Sequence, residues 1–274
     1  MPSPTQITAQ QLSRLVGTPE CPLLVDIRID EDFASDPDFI PGAVRHSYDN
    51  MEGLAEKISC ISPKRRIVLY CQKGLKISQG AGAVLRAVGM HAEELAGGHF
   101  AWRDAGLPLV PDAAAPKRDP QGRTVWVTRQ RPKIDRIACP WLIRRFIDPF
   151  ARFLFVSAGQ VENVAEKFGA TPFDLENVFW SHRGEGCTFD TMIEEFRLSF
   201  PALDRLATII RGADTDRHNL APESAGLLAA SLGFSRMYRD DLKQLDASMA
   251  LYDAYYRWAR DAVDEAHTWP PKRA

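Results

Sequence analysis

Nine consecutive residues carry the sharpest chemical pattern in the chain: Tyr70-Cys71-Gln72-Lys73-Gly74-Leu75-Lys76-Ile77-Ser78. Cys71 ends an apolar run, and a short loop containing Gly74 leads into a stretch suited to a helix. At such a junction the N–H groups of the loop can converge on the sulfur, and the helix N-terminus adds positive potential. Lys73 and Lys76 add charge if their side chains turn inward. All three effects favour the thiolate, the form that attacks sulfur or carries it. The same cradle suits a small oxyanion. The ordinary alternative is an inert cysteine at a strand end, because cysteine is among the most buried residue types.

Two further groups lie in the second half. Residues 129–145 hold Arg129, Arg131, Lys133, Arg136, Arg144 and Arg145 against one acid, Asp135, a net +5. Lys133, Arg136 and Arg144 are candidate oxyanion ligands at a helix start. A solvated face paired with acids elsewhere is the competing explanation. Cys139, His182, Cys187, Asp214 and Asp216 are the polar residues expected to converge, and the last four are candidate ligands for a metal ion in this half. Imidazole and carboxylates bind transition metals, and a thiolate shifts preference toward softer ions. Their spacing does not resemble a structural zinc module. Asp214 and Asp216 can equally cap turns, and Cys139 can pack behind Trp141.

These groups need elements to hold them. Residues 22–28 and 66–71 read as buried strands with polar residues at their C-terminal ends. Residues 80–88 suit a helix packed on a sheet, and residues 90–95 another strand, closed by Gly97 and Gly98. That order predicts an α/β domain with a mainly parallel sheet over residues 1–110. Residues 111–122 hold three prolines and mostly small or polar residues, which marks a linker. A helix-rich α+β domain is expected over 123–274, opening with a strand at 124–128. Asp135 can cap a helix from about residue 136 to 147, with Pro140 tolerable only in the first turn. Leu242, Leu245, Met249, Tyr252, Tyr256, Ala259 and Val263 recur at helical spacing, which predicts one long amphipathic helix. It packs within its own domain or forms a homodimer seam.

Composition narrows the classes. In 274 residues there are 34 basic and 36 acidic side chains, so no global field draws the chain to nucleic acid or membrane. No nucleic-acid motif accompanies the basic cluster, and no nucleic-acid partner is expected. No run of 18 apolar residues occurs, so no spanning helix is expected. The five cysteines are an odd number without a CxxC pair, which favours a reducing compartment. With no signal peptide visible at the N-terminus, the expected location is the cytoplasm.

The segments Leu24-Val25-Asp26-Ile27-Arg28, Phe39-Ile40-Pro41-Gly42-Ala43 and Gly97-Gly98-His99-Phe100-Ala101-Trp102 through Pro108 fall in order around the Cys71 loop. Over residues 5–110 this resembles the rhodanese, or sulfurtransferase, family. The resemblance implies a rhodanese fold in which Cys71 carries sulfane sulfur as a persulfide. Thiosulfate or another sulfane donor would supply it, and a thiol or cyanide would accept it, without a cofactor. The loop from Gln72 through Lys73, Gly74 and Leu75 to Lys76 would bind the substrate, supported by Arg28. Related phosphatases have a longer loop with an arginine clamp. Here the sixth residue after Cys71 is Ile77, which disfavours phosphatase chemistry. Lys76 stands where many members place arginine, and a lysine is a point charge rather than a planar fork.

The segment from Arg131 to Arg145, with Ser181-His182-Arg183-Gly184-Glu185-Gly186-Cys187 and Arg211-Gly212-Ala213-Asp214, is similar to the C-terminal domain of ChrB-type chromate-resistance proteins. That implies a role in chromate resistance or its regulation. Two functions compete: a sulfurtransferase linked to chromate resistance, and a sensor that binds chromate, another oxyanion or a metal. A chromate reductase ranks last, since nothing predicts a flavin.

Overall fold

The computed structural model describes residues 4–61 and 65–265, with the backbone alone at 59–61. The outer limits expected for the two domains, residues 1 and 274, therefore lie outside the described residues. The first half runs β1 (Gln6–Ile7), α1 (Ala9–Ser13), β2 (Leu23–Asp26), α2 (Asp30–Ser35), β3 (Asp38–Phe39), β4 (Val44–Arg45), α3 (Met51–Ile61), β5 (Ile67–Tyr70), α4 (Lys76–Ala87), β6 (Ala92–Leu95), α5 (Gly98–Asp104) and β7 (Val110–Pro111). Five strands form a parallel sheet in the order β1-β6-β5-β2-β4. The predicted strands and helix are present, with α4 starting at Lys76 directly after the Cys71 loop.

Both faces of this sheet are covered, so β2 and β5 read as continuous apolar runs. Period-two alternation sorts their side chains into different cores. Leu23, Val25, Ile67, Leu69 and Cys71 face Met51, Leu54 and Ile58 of α3 and Ala81 and Leu85 of α4. Leu24, Val68 and Tyr70 face the opposite way, with Leu12 of α1 and Trp102 of α5. This second core does not stop at the end of the first half. It continues through Trp141, Phe146 and Tyr256.

The second half runs β8 (Val125–Arg129), α6 (Asp135–Leu142), β9 (Arg152–Val156), α7 (Val161–Phe168), β10 (Thr171–Pro172), α8 (Thr188–Glu195), α9 (Pro201–Asp214), α10 (Glu223–Met237) and α11 (Asp241–Asp261). Its sheet is parallel, in the order β10-β8-β9. In α11, Leu245, Tyr252, Tyr256 and Ala259 are buried, Leu242 is exposed and Val263 lies beyond the helix end. Within 111–122, Pro111 pairs with Asp38, and Asp119 is gripped by Arg123 at 2.8–2.9 Å. The halves also meet where the Gly42 N–H donates to the Phe146 carbonyl at 2.6 Å and Arg260 donates to the Arg14 carbonyl at 3.0 Å.

Two local expectations are corrected. Pro140 is the sixth residue of α6, beyond the first turn. Proline has no N–H to donate and crowds the carbonyl four residues back. The helix continues into a wide π turn at Ile143–Ile147. Asp135 does not cap this helix. Ile134 occupies the cap position at φ 35°, its N–H bonded to Ser231 Oγ and its carbonyl to Tyr252 Oη. The Asp135 carboxylate instead accepts the first N–H groups of α8, from Thr188 at 2.6 Å and Phe189 at 3.1 Å.

Candidate functional site

Cys71 sits one residue past β5, only 4% exposed. The loop Gln72–Leu75 turns beneath it into α4. Gly74 makes the turn at φ 66°, where a Cβ would lie 2.6 Å from the Gly98 nitrogen and the Leu95 carbonyl. Gly98, at φ 61°, meets the loop from the other side. A Cβ there would lie 2.2 Å from the Cys71 carbonyl and 2.4 Å from the Gly74 nitrogen. The first turn of α5 closes this contact, with the His99 N–H donating to the Cys71 carbonyl at 2.9 Å and the Phe100 N–H to the Gln72 carbonyl at 3.1 Å. Two glycines are thus required because two backbones touch.

The sulfur lies 3.3 Å from Ser78 Oγ. Burial opposes its ionisation, but the Ser78 hydroxyl and the N–H groups of Ser78, Leu75 and Lys73 outweigh that cost. They hold the Cys71 thiol below its ordinary value of 9.0. Lys73 and Lys76 are both exposed, and the lowering comes from amides and a hydroxyl rather than from them. Gln72 is buried with its Oε1 lacking a partner among the described residues, and Leu75 is exposed at the lip of the loop. Ser78 was not singled out from the sequence. Its signal was a hydroxyl residue in the first turn of a helix that begins at a cysteine loop.

Arg28 has another role than the expected substrate contact, for its side chain has no exposure at all. Nε and Nη2 grip Asp26 at 2.6–3.0 Å, Nη1 donates to the Asp36 carbonyl at 2.8 Å and Nη2 to the Asp38 carbonyl at 2.9 Å. It clamps β2 to the turn before β3. His99 Nε2 lies 3.1 Å from Asp36 Oδ2 in the same layer, behind the loop. Burial, and then the Arg28 charge, lower the His99 pKa below 6.5, so the ring is neutral near pH 7.

The oxyanion candidates of the second half do not come together. Lys133 is exposed, Arg136 reaches Asp174 at 3.3 Å, and Arg144 reaches Asp246 at 2.8 Å. Arg131 turns to Asp241 and Arg145 to Asp253. Neighbouring guanidiniums repel, and these four turn to separate carboxylates on α11 or after β10, Arg129 sharing Asp174 with Arg136. The metal candidates divide too. His182 and Asp214 meet, with Nε2 and Oδ2 3.3 Å apart. Asp216 is not with them, since it lies beyond the end of α9 with its side chain 96% exposed. Cys187 is fully buried at the start of α8, where burial first and then Asp135 push its thiol well up. Asp135 and Asp174 join His182 instead, at 3.6 and 3.3 Å. Their positions, one at a helix start and one after a strand, gave no spacing signal.

A parallel sheet with a cysteine loop running into a helix at its C-terminal edge defines a rhodanese-like architecture. The chain matches the rhodanese-like domain family over residues 8–105 and the ChrB C-terminal domain family over residues 126–259. It is 30% identical over 105 residues to a sulfurtransferase of Allochromatium vinosum, covering 38% of this chain and 94% of that protein. It is 32% identical over 193 residues to the protein ChrB of Cupriavidus metallidurans, covering 65% of this chain and 57% of that protein. The chain thus spans little more than half the length of that relative. A solved rhodanese-related protein from Thermoplasma volcanium is 19% identical, covering 38% of this chain and 96% of that one, with a TM-score of 0.32. The chain belongs to the rhodanese-like sulfurtransferase family and carries a ChrB C-terminal domain after its rhodanese domain. No helix among the described residues is long and apolar enough to cross a membrane.

Proposed function

We propose that the rhodanese half transfers sulfane sulfur through a Cys71 persulfide, in the service of chromate resistance. The observation that carries this reading is the buried Cys71 sulfur at the start of α4, 3.3 Å from the Ser78 hydroxyl, where that hydroxyl and the loop amides lower its pKa. The Cys71 thiolate attacks the outer sulfur of thiosulfate, the S–S bond breaks, and sulfite leaves with its electron pair. The persulfide then gives that sulfur to a thiolate or cyanide, and the Cys71 thiolate returns. The N–H groups that stabilise the thiolate also suit the persulfide anion and the departing sulfite. No cofactor enters either step. The ChrB C-terminal domain supports the link to chromate. Arg136 and Arg144 turn to different acids, which favours sulfur transfer over oxyanion sensing by Lys133, Arg136 and Arg144.

Intact mass after incubation with thiosulfate, and separately with polysulfide, tests this reading. Wild type gains one sulfur atom and Cys71→Ser gains none. A wild-type protein that gains no sulfur from either donor overturns it.

A further inference from the structure

The second half holds a constellation that sulfur transfer does not use. Asp135 begins α6, Asp214 ends α9, and His182 lies in the segment before α8. One ligand atom from each lies within 4.8 Å of the other two. From His182 Nε2 the distances are 3.6 Å to Asp135 Oδ2 and 3.3 Å to Asp214 Oδ2. Metal–ligand bonds of about 2.0–2.2 Å set tetrahedral ligand atoms roughly 3.3–3.6 Å apart. Both separations fall in that interval.

The local charges do not balance. Asp174, also near His182, is matched by Arg129 at 3.4 Å and Arg136 at 3.3 Å. Asp135 and Asp214 have no other cationic partner than His182 among the ion pairs of the described residues. Asp135 is only 1% exposed. A divalent cation held by both carboxylates would neutralise the pair, any proton it displaces passing to solvent. Buried charge is costly unless it is matched in this way.

Other features fit a built site. Asp135 is fixed from behind by the Thr188 and Phe189 N–H groups. The His182 segment is pinned by Thr191 Oγ1, which donates to the Ser181 carbonyl at 2.7 Å. The His182 side chain is 40% and Asp214 19% exposed, which gives an ion a route in and water a place to complete its shell.

We propose that Asp135, His182 and Asp214 bind one divalent first-row metal ion of the Mn2+, Fe2+ or Zn2+ class. Two carboxylates and an imidazole match these ions. Calcium takes six to eight oxygens. Softer ions would need a thiolate, whereas Cys139 and Cys187 are fully buried, Cys139 donating to Asp135 Oδ1 at 3.6 Å.

The full chain, stripped with chelator, is dialysed against Mn2+ and separately against Zn2+, and retained metal is counted by elemental analysis. A Cys71→Ser background removes binding at the thiolate. One equivalent of at least one ion is expected. Asp214→Asn and His182→Gln each weaken its retention at least tenfold, and Asp216→Asn leaves it unchanged. Circular dichroism checks each fold, and if Asp214→Asn unfolds, His182→Gln carries the comparison. Retention of neither ion by the wild type, or equal retention by the folded ligand variants, overturns the proposal.

Discussion

Replacing Ser78 by alanine removes one of the groups that hold Cys71 as thiolate and leaves the loop backbone in place. The Ser78 hydroxyl is 3.3 Å from the sulfur, and three N–H groups remain when it is gone. A hydrogen bond to a charged group is worth about 1.5–3 kcal/mol. The long contact to a diffuse acceptor points to the lower end, about 1.5 kcal/mol. At 1.36 kcal/mol per pKa unit, the Cys71 pKa should rise by about one unit. Below the pKa the thiolate fraction then falls about tenfold. A more basic thiolate is a better nucleophile, with a Brønsted slope of about 0.4–0.5, which recovers roughly threefold. The net expectation is alkylation about three- to fourfold slower near neutral pH. Iodoacetamide rates across pH, read by peptide mass, give both quantities. Cys21 serves as an internal reference, because burial pushes its thiol up to about 11. A midpoint for Cys71 that does not move in Ser78→Ala would refute the assignment of the lowered pKa to this cradle.

Three further outcomes follow from the same contacts. Gly74→Ala should lower the urea midpoint and abolish the low-pH reactivity of Cys71, since φ 66° alone costs a non-glycine residue about 1–2 kcal/mol before the 2.6 Å contacts with Gly98 and Leu95 are counted. A stable, reactive variant would show that the loop is not wedged. Arg28→Met should destabilise by about 3–5 kcal/mol in equilibrium unfolding, because it strands Asp26 without its partner in a fully buried pair. A second change, Asp26→Leu, should restore part of that loss, and no recovery would mean that Arg28 acts mainly through the Asp36 and Asp38 carbonyls. The stability difference between wild type and Cys71→Ser should rise with pH. The folded thiol lies below its ordinary 9.0, so the unfolded chain holds more protons between the two values. The contribution is complete above the ordinary value and is lost as pH falls through the folded one. A flat difference across that window would contradict it.

The cysteine loop was readable because its geometry is local. A strand end, a glycine turn and a helix start occupy adjacent positions, and the amides that face the sulfur come from the same few residues. Ser78 was within reach of that reasoning. Arg28 was not, since Asp26 and the Asp36 and Asp38 carbonyls consume its donors, and only the fold shows where those carbonyls point. The second half was hard for a related reason. Asp135 looked like the cap of its own helix, yet a twisted Ile134 turns it to cap α8, some 53 residues further along. The +5 segment suggested convergence because charges close in sequence were assumed to stay close in space. A helix and a π turn send Arg136 and Arg144 to different acids.

The alternation in β2 and β5 also explains why the two halves do not behave as beads on a linker. One set of side chains closes a core built almost wholly from the first half, with Phe150 of the second packed at its edge, and the other set opens into a core that both halves share. The helix that buttresses the cysteine loop belongs to the shared side. Its N-terminus supplies Gly98 and the His99 N–H to the loop, and Trp102, one turn later, is 1% exposed in the common core. Gly42, in the segment after β3, donates directly to the Phe146 carbonyl at the π turn. The wall behind the sulfur is therefore set by packing that includes the ChrB domain. Close-packed interiors transmit small displacements rather than absorb them. A change at Trp141 or Phe146 should be felt at Cys71 through α5, without any contact between those side chains and the sulfur.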